Sequence, residues 1–121
     1  MSEAAPWPEE IRLVDGGRRL ELRFDDGASF PLTAELLRVE SPSAEVQGHG
    51  PGQKTLVAGR RHVAIMAVEP VGNYAVRLRF DDLHDSGIYA WDTLYRMGQD
   101  QDELWQAYLT GLETQGLSRD P

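Results

Sequence analysis

The sequence predicts an α+β domain: small antiparallel β-sheets and hairpins with short helices and a C-terminal helical segment. Three observations lead there. Leu20-Glu21-Leu22-Arg23-Phe24 and Ala75-Val76-Arg77-Leu78-Arg79-Phe80 alternate apolar and polar side chains, the period of a strand with one buried face. Gly- and Asp-containing turns separate such runs. Helical spacing of large apolar residues comes last in the chain, so strands precede helices and no strand–helix–strand alternation is present.

Taken in order, Met1 to Glu9 reads as a loose start, with Trp7 between Pro6 and Pro8 as its anchor. Ile11–Val14 and Leu20–Phe24 flank Asp15-Gly16-Gly17 as a hairpin, and Asp25-Asp26-Gly27 turns into Ala28–Leu32. Thr33 can cap a short helix through Ala34–Arg38, since its hydroxyl accepts from an otherwise orphan N–H. Ser41-Pro42 repeats that signal, with Pro42 at a first helical position and Gly48 beyond the end. Gly48 to Gly59 reads as a loop. His62–Val68 reads as a buried strand, joined by Pro70–Tyr74 to Ala75–Phe80. The stretch Phe80–Trp91 is a turn between strand and helix. Trp91–Met97 is helical and stops at Gly98. A second helix, about 100–114, puts Leu104, Trp105, Tyr108, Leu109 and Leu112 on one face. Gly116–Pro121 reads as frayed. The whole is a single domain over 1–121, its core about 8–97.

Composition narrows the function. The net charge of −8, with a single lysine (Lys54) and scattered arginines, excludes a phosphate-tracking basic stripe and hence nucleic acid. Membrane surfaces are excluded on the same count, and no apolar run approaches the ~20 residues of a bilayer span. Met1–Pro6 lacks the features of a signal peptide, so a cytoplasmic location is expected. With no cysteine there is no disulfide, thiolate nucleophile or Cys-based zinc or iron–sulfur site.

The candidate chemistry concentrates in one turn: Asp81, Asp82, His84, Asp85, Ser86, Tyr89 and Trp91. A metal or small-ligand module centred on His84 is one reading, because imidazole and carboxylate suit iron or zinc. It lacks a second histidine nearby, since His49 sits in the loose loop and His62 at the start of another strand. A catalytic Ser86–His84–Asp85 group is weak, because sequence neighbours point in different directions. Gly48–Thr55 is not a phosphate loop, since Gln53 stands where glycine must precede Lys54-Thr55. The residual readings are a hydrogen-bonded structural turn or an acidic face for a basic partner, to which Asp92 would add. The Trp105/Tyr108 face reads as core or as a homodimer surface.

Leu36-Leu37-Arg38, Val71-Gly72-Asn73-Tyr74-Ala75 and Phe80-Asp81-Asp82-x-His84-Asp85-Ser86-Gly87-Ile88-Tyr89-Ala90-Trp91 resemble a bacterial family of unknown function, DUF971. That family is similar to the N-terminal domain of gamma-butyrobetaine hydroxylase. The resemblance spans residues 8 to 97 and implies a domain that precedes a separate oxygenase domain, which this sequence lacks. In the hydroxylases this domain holds a structural zinc through three cysteines and one histidine. Carried over, the histidine falls on His84 and the cysteines on Ser41, Ser43 and Val46. Serine hydroxyls are poor zinc ligands and valine is none, so no metal and no cofactor are expected. The expected function is a non-catalytic accessory or protein-interaction domain with an unknown protein partner. The resemblance further suggests iron–sulfur carrier or oxygenase systems as context.

Overall fold

The computed structural model describes residues 6–50 and 52–121. Of the loose start predicted over Met1 to Glu9, residues 1–5 lie outside them, and Pro8 and Glu9 are instead the first residues of a strand. Among the described residues there are two three-stranded antiparallel sheets. The first orders β1 (Pro8–Val14), β2 (Arg19–Phe24) and β3 (Ser29–Thr33) as β1-β2-β3. The second orders β4 (Ile65–Val71), β5 (Ala75–Phe80) and β6 (Gly87–Ala90) as β4-β5-β6. Helices α1 (Ala34–Val39) and α2 (Ala44–Gln47) follow the first sheet, and α3 (Trp91–Gln115) follows the second. The fold is α+β, as the alternating runs predict.

Period two does the sorting. In β2, Leu20, Leu22 and Phe24 are buried while Arg19, Glu21 and Arg23 face outward; Val76, Leu78 and Phe80 do the same in β5. Both rows join one apolar cluster with Leu32, Leu36, Leu37, Ile65, Tyr89, Leu94 and Met97. Full burial of a Leu or Phe is worth about 1.5–3 kcal/mol. An exposed pair such as Arg12–Glu21 is screened by solvent and contributes little beside this, so the core dominates. The turn between β1 and β2 also packs against the start of β4, since a Cβ on Gly17 would clash with the Ile65 carbonyl oxygen.

Helix α1 is capped as the sequence predicts, with the Leu36 N–H donating to Thr33 Oγ1 at 3.1 Å. All six of its residues are buried, including Glu35 and Arg38, which must therefore find partners.

Five further readings are corrected. The cap of α2 is Ser43, whose hydroxyl accepts from the Glu45 N–H, not the Ser41-Pro42 step. Strand β4 starts at Ile65, because His62 lies in a turn. The Asp/His turn joins β5 to the unforeseen strand β6, so it is the tip of a hairpin and not a strand-to-helix link. Gly98 does not stop a helix: α3 runs through it for 25 residues. A Cβ at Gly98 would meet the Phe30 ring at 2.3 Å, so the glycine is where β3 closes on the helix. Finally, residues 117–121 are tied down: Gly59 N–H donates to the Ser118 carbonyl and Arg61 N–H to that of Arg119.

The aromatic face of α3 is likewise occupied from within the chain. Tyr108 is buried with its hydroxyl donating to the Val57 carbonyl at 2.7 Å, and Trp105 lies under Arg119.

Candidate functional site

The hairpin tip is tight. Phe80 N–H donates to the His84 carbonyl at 3.0 Å, and Leu83 N–H to that of Phe80 at 3.1 Å. Asp82 anchors it from within. Its Oδ2 accepts from Arg38 Nε and Arg60 Nε, each at 2.7 Å, and its Oδ1 from the His84 N–H at 3.1 Å. Burial opposes ionisation here, but these donors outweigh it and hold the carboxyl below the ordinary aspartate value. Asp81 ties the tip to Ala64, just before β4: its N–H donates to the Ala64 carbonyl and its carboxylate accepts from the Ala64 N–H.

His84 is buried at 4 % exposure and engages both ring nitrogens. Nε2 lies 2.9 Å from Ser41 Oγ and Nδ1 3.1 Å from Glu45 Oε2. A carboxylate can only accept, so Nδ1 carries a proton toward Glu45. In the neutral ring Nε2 then accepts from the Ser41 hydroxyl, whose oxygen accepts in turn from the Ser43 N–H. Ser43 Oγ reaches Ser86 Oγ at 2.7 Å, and Ser86 donates to Glu45 Oε1. Gly87 permits this approach, because a Cβ there would sit 2.6 Å from Ser41 Oγ. Tyr89, fully buried, donates to the Leu37 carbonyl, and burial drives its phenol well above the ordinary tyrosine value.

Ser41, His84 and Glu45 thus share the connectivity of a serine–histidine–acid triad, which sequence spacing did not reveal. Its chemistry is blocked by position. Ser41 has 0 % exposure, its oxygen already takes a backbone N–H, and Gly87 closes over it. A nucleophile must reach a carbonyl carbon, and a fully buried oxygen offers a substrate no approach. The arrangement is a staple joining the loop before α2 to the hairpin tip.

The zinc implied by the resemblance does not fit these residues. Ser41 and His84 do come together, with Ser43 hydrogen-bonded to Ser41. However, both hydroxyls are spent on hydrogen bonds, and Val46 is a buried apolar side chain. Among the described residues no three of His, Cys, Asp and Glu converge into a ligand set.

The seven candidate contact residues divide sharply. Asp82, His84 and Tyr89 face inward, whereas Asp81, Asp85 and Ser86 are exposed. Trp91 is half-buried, its Nε1 donating to the Asn73 carbonyl and its ring 6.3 Å from Trp7. Two exposed apolar residues beside them escaped the sequence reading. Leu83 is 90 % exposed with φ of 74°, and Ile88 is 46 % exposed. An apolar residue amid four charged or titratable ones was a visible signal for Leu83; its left-handed backbone was not.

Residues 11–95 match the family model for gamma-butyrobetaine hydroxylase-like N-terminal domains. A protein with an NMR solution structure is 47 % identical to this chain, covering 98 % of it and 93 % of its own length, with a TM-score of 0.85. A second NMR solution structure is 46 % identical, covering 100 % of this chain and 92 % of its own, with a TM-score of 0.83. A crystal structure of an Acidithiobacillus ferrooxidans protein of unknown function, of the DUF971 family, is 41 % identical. It covers 75 % of this chain and 91 % of its own, with a TM-score of 0.63. No curated protein matches the chain.

Proposed function

Because this chain belongs to the gamma-butyrobetaine hydroxylase-like N-terminal family, we propose that it is a non-catalytic interaction domain that docks through the outer side of residues 81–88. Leu83 carries the reading. A non-glycine residue in the left-handed region costs roughly 1–2 kcal/mol, and a solvent-exposed leucine recovers none of it by burial. Its neighbours Asp82 and His84 are both hydrogen-bonded inward, so the tip holds Leu83 outward on a rigid support. An exposed apolar anchor on a preorganised turn has the character of an interface hot spot.

Asp81 and Asp85 flank this leucine, so the fitting partner is a protein face with an apolar pocket rimmed by Lys or Arg. The family resemblance puts iron–sulfur carrier ATPases and oxygenases first among partners to test, in the cytoplasm. No helix among the described residues is long and apolar enough to cross a membrane. A ligand site centred on His84 finds no support, because both ring nitrogens already have partners.

Leu83→Gly is the decisive variant. Glycine relieves the backbone, so the melting temperature should stay level or rise. Loss of a hot-spot side chain costs about 2 kcal/mol or more in binding, roughly thirtyfold in affinity. Comparative capture with wild-type and Leu83→Gly bait should show a partner retained only by the wild type. Identical partners on both baits would end the proposal.

A further inference from the structure

The buried carboxylate of Glu35 has one partner among the described residues, and that partner comes from beyond α3. Arg119 grips it with two bonds, Nη2 to Oε1 at 2.7 Å and Nε to Oε2 at 2.9 Å. The same guanidinium lies 4.9 Å above the Trp105 ring. A forked pair to a carboxylate plus an aromatic face is the full chemistry of arginine recognition. Beside it lies a cleft of about 370 Å³ that Arg119 itself lines together with Thr33, Leu36, Gln101 and Asp102.

The segment supplying this arginine is lightly held otherwise. It leaves α3 at Gly116, whose left-handed φ of 68° ends the helix, and Leu117, Ser118 and Asp120 are exposed. Besides Arg119 it makes the bond from Leu117 N–H to the Leu112 carbonyl that closes α3, two backbone bonds to Gly59 and Arg61, and an exposed Arg61–Asp120 ion pair. Such pairs contribute little.

We infer that Glu35 and Trp105 form a receptor for the arginine of an extended peptide segment, which residues 117–121 of this chain occupy as an exchangeable internal ligand. The external ligand is a partner's arginine-bearing strand that takes the Arg119 place and pairs with the backbone of Gly59 and Arg61. The Glu35–Trp105 receptor uses no residue of the 81–88 turn, although Pro121 at the end of the segment lines a cleft with Asp81 and Asp82.

The probe is a synthetic hexapeptide, Gly-Leu-Ser-Arg-Asp-Pro, titrated into isotope-labelled full-length chain and followed by NMR. In Arg119→Ala the Trp105 indole and the Glu35 amide should shift saturably with peptide. A peptide with Ala in place of its Arg should leave them unmoved, as should Glu35→Gln combined with Arg119→Ala. In the unaltered chain an intramolecular ligand competes at millimolar effective concentration, so binding should be at least about tenfold weaker. At saturation the chain's own Ser118–Asp120 resonances should move to unstructured positions. No peptide binding to folded Arg119→Ala would overturn the inference. So would resonances of residues 118–120 that stay docked at saturating peptide, which would make Arg119 a fixed strut; this arm holds even if the variant fails to fold.

Discussion

At the scale of single residues, His84 and Asp82 set the hairpin tip by opposite means. His84→Ala removes a buried ring and leaves the Ser41 hydroxyl without its acceptor. The cost should be roughly 2–3 kcal/mol by chemical denaturation, combining an unsatisfied buried group with a cavity. A change below ~0.5 kcal/mol, the usual range for surface positions, would show that the staple is idle. Asp82 makes its contribution through ionisation. Its carboxyl titrates lower in the folded chain than the ordinary value of about 3.9. The stabilisation is therefore fully present above pH ~4 and is lost as pH falls through the folded value. Asp82→Asn should be less stable than the parent at neutral pH, with the gap narrowing steadily below pH ~4. Denaturation curves that keep a constant gap down to pH 2 would assign the effect to packing alone.

At the scale of elements, Gly98 separates propensity from packing. Alanine is favoured over glycine inside a helix by about 1 kcal/mol, yet its methyl would fall within the Phe30 ring. Gly98→Ala should therefore destabilise by roughly 1–3 kcal/mol, and a raised melting temperature would refute the close contact. The same glycine explains one limit of the sequence reading. Glycine after a helical run resembles a stop, and only the third dimension shows a ring pressed against it. Strand β6 escaped for a different reason: four residues beginning with Gly87 are too few to display a period. The alternating strands β2 and β5 were legible because each buries alternate residues on one face. The Ser41–His84 bond joins residues 43 apart and carries no local signal. Only the family resemblance, which maps a metal site onto Ser41, Ser43 and His84, brought these positions together in advance. The seating of Arg119 against Glu35 had no forerunner at all, since a polar stretch after a helix reads as loose.

At the scale of the whole molecule, both sheets contribute to one apolar cluster, with α1 and α3 packed into it. Unfolding should therefore be a single cooperative transition. Tryptophan emission and far-ultraviolet circular dichroism report different regions, with Trp7 and Trp91 near the first strand and Trp105 midway along α3. Their denaturant midpoints should coincide. Midpoints that separate by more than the fitting error would mean that the sheets melt independently.

Two three-stranded sheets present four outer strands, and each is poorly suited to adding another. β1 carries Pro8, β3 carries Pro31, and β4 carries Pro70 while Gly17 sits against the Ile65 carbonyl at its start. β6 is four residues long. A missing N–H interrupts the rungs that an incoming chain would need, and a short margin offers too few of them. With eight excess negative charges keeping copies apart, the protein has a built-in resistance to fibril growth and precipitation when crowded.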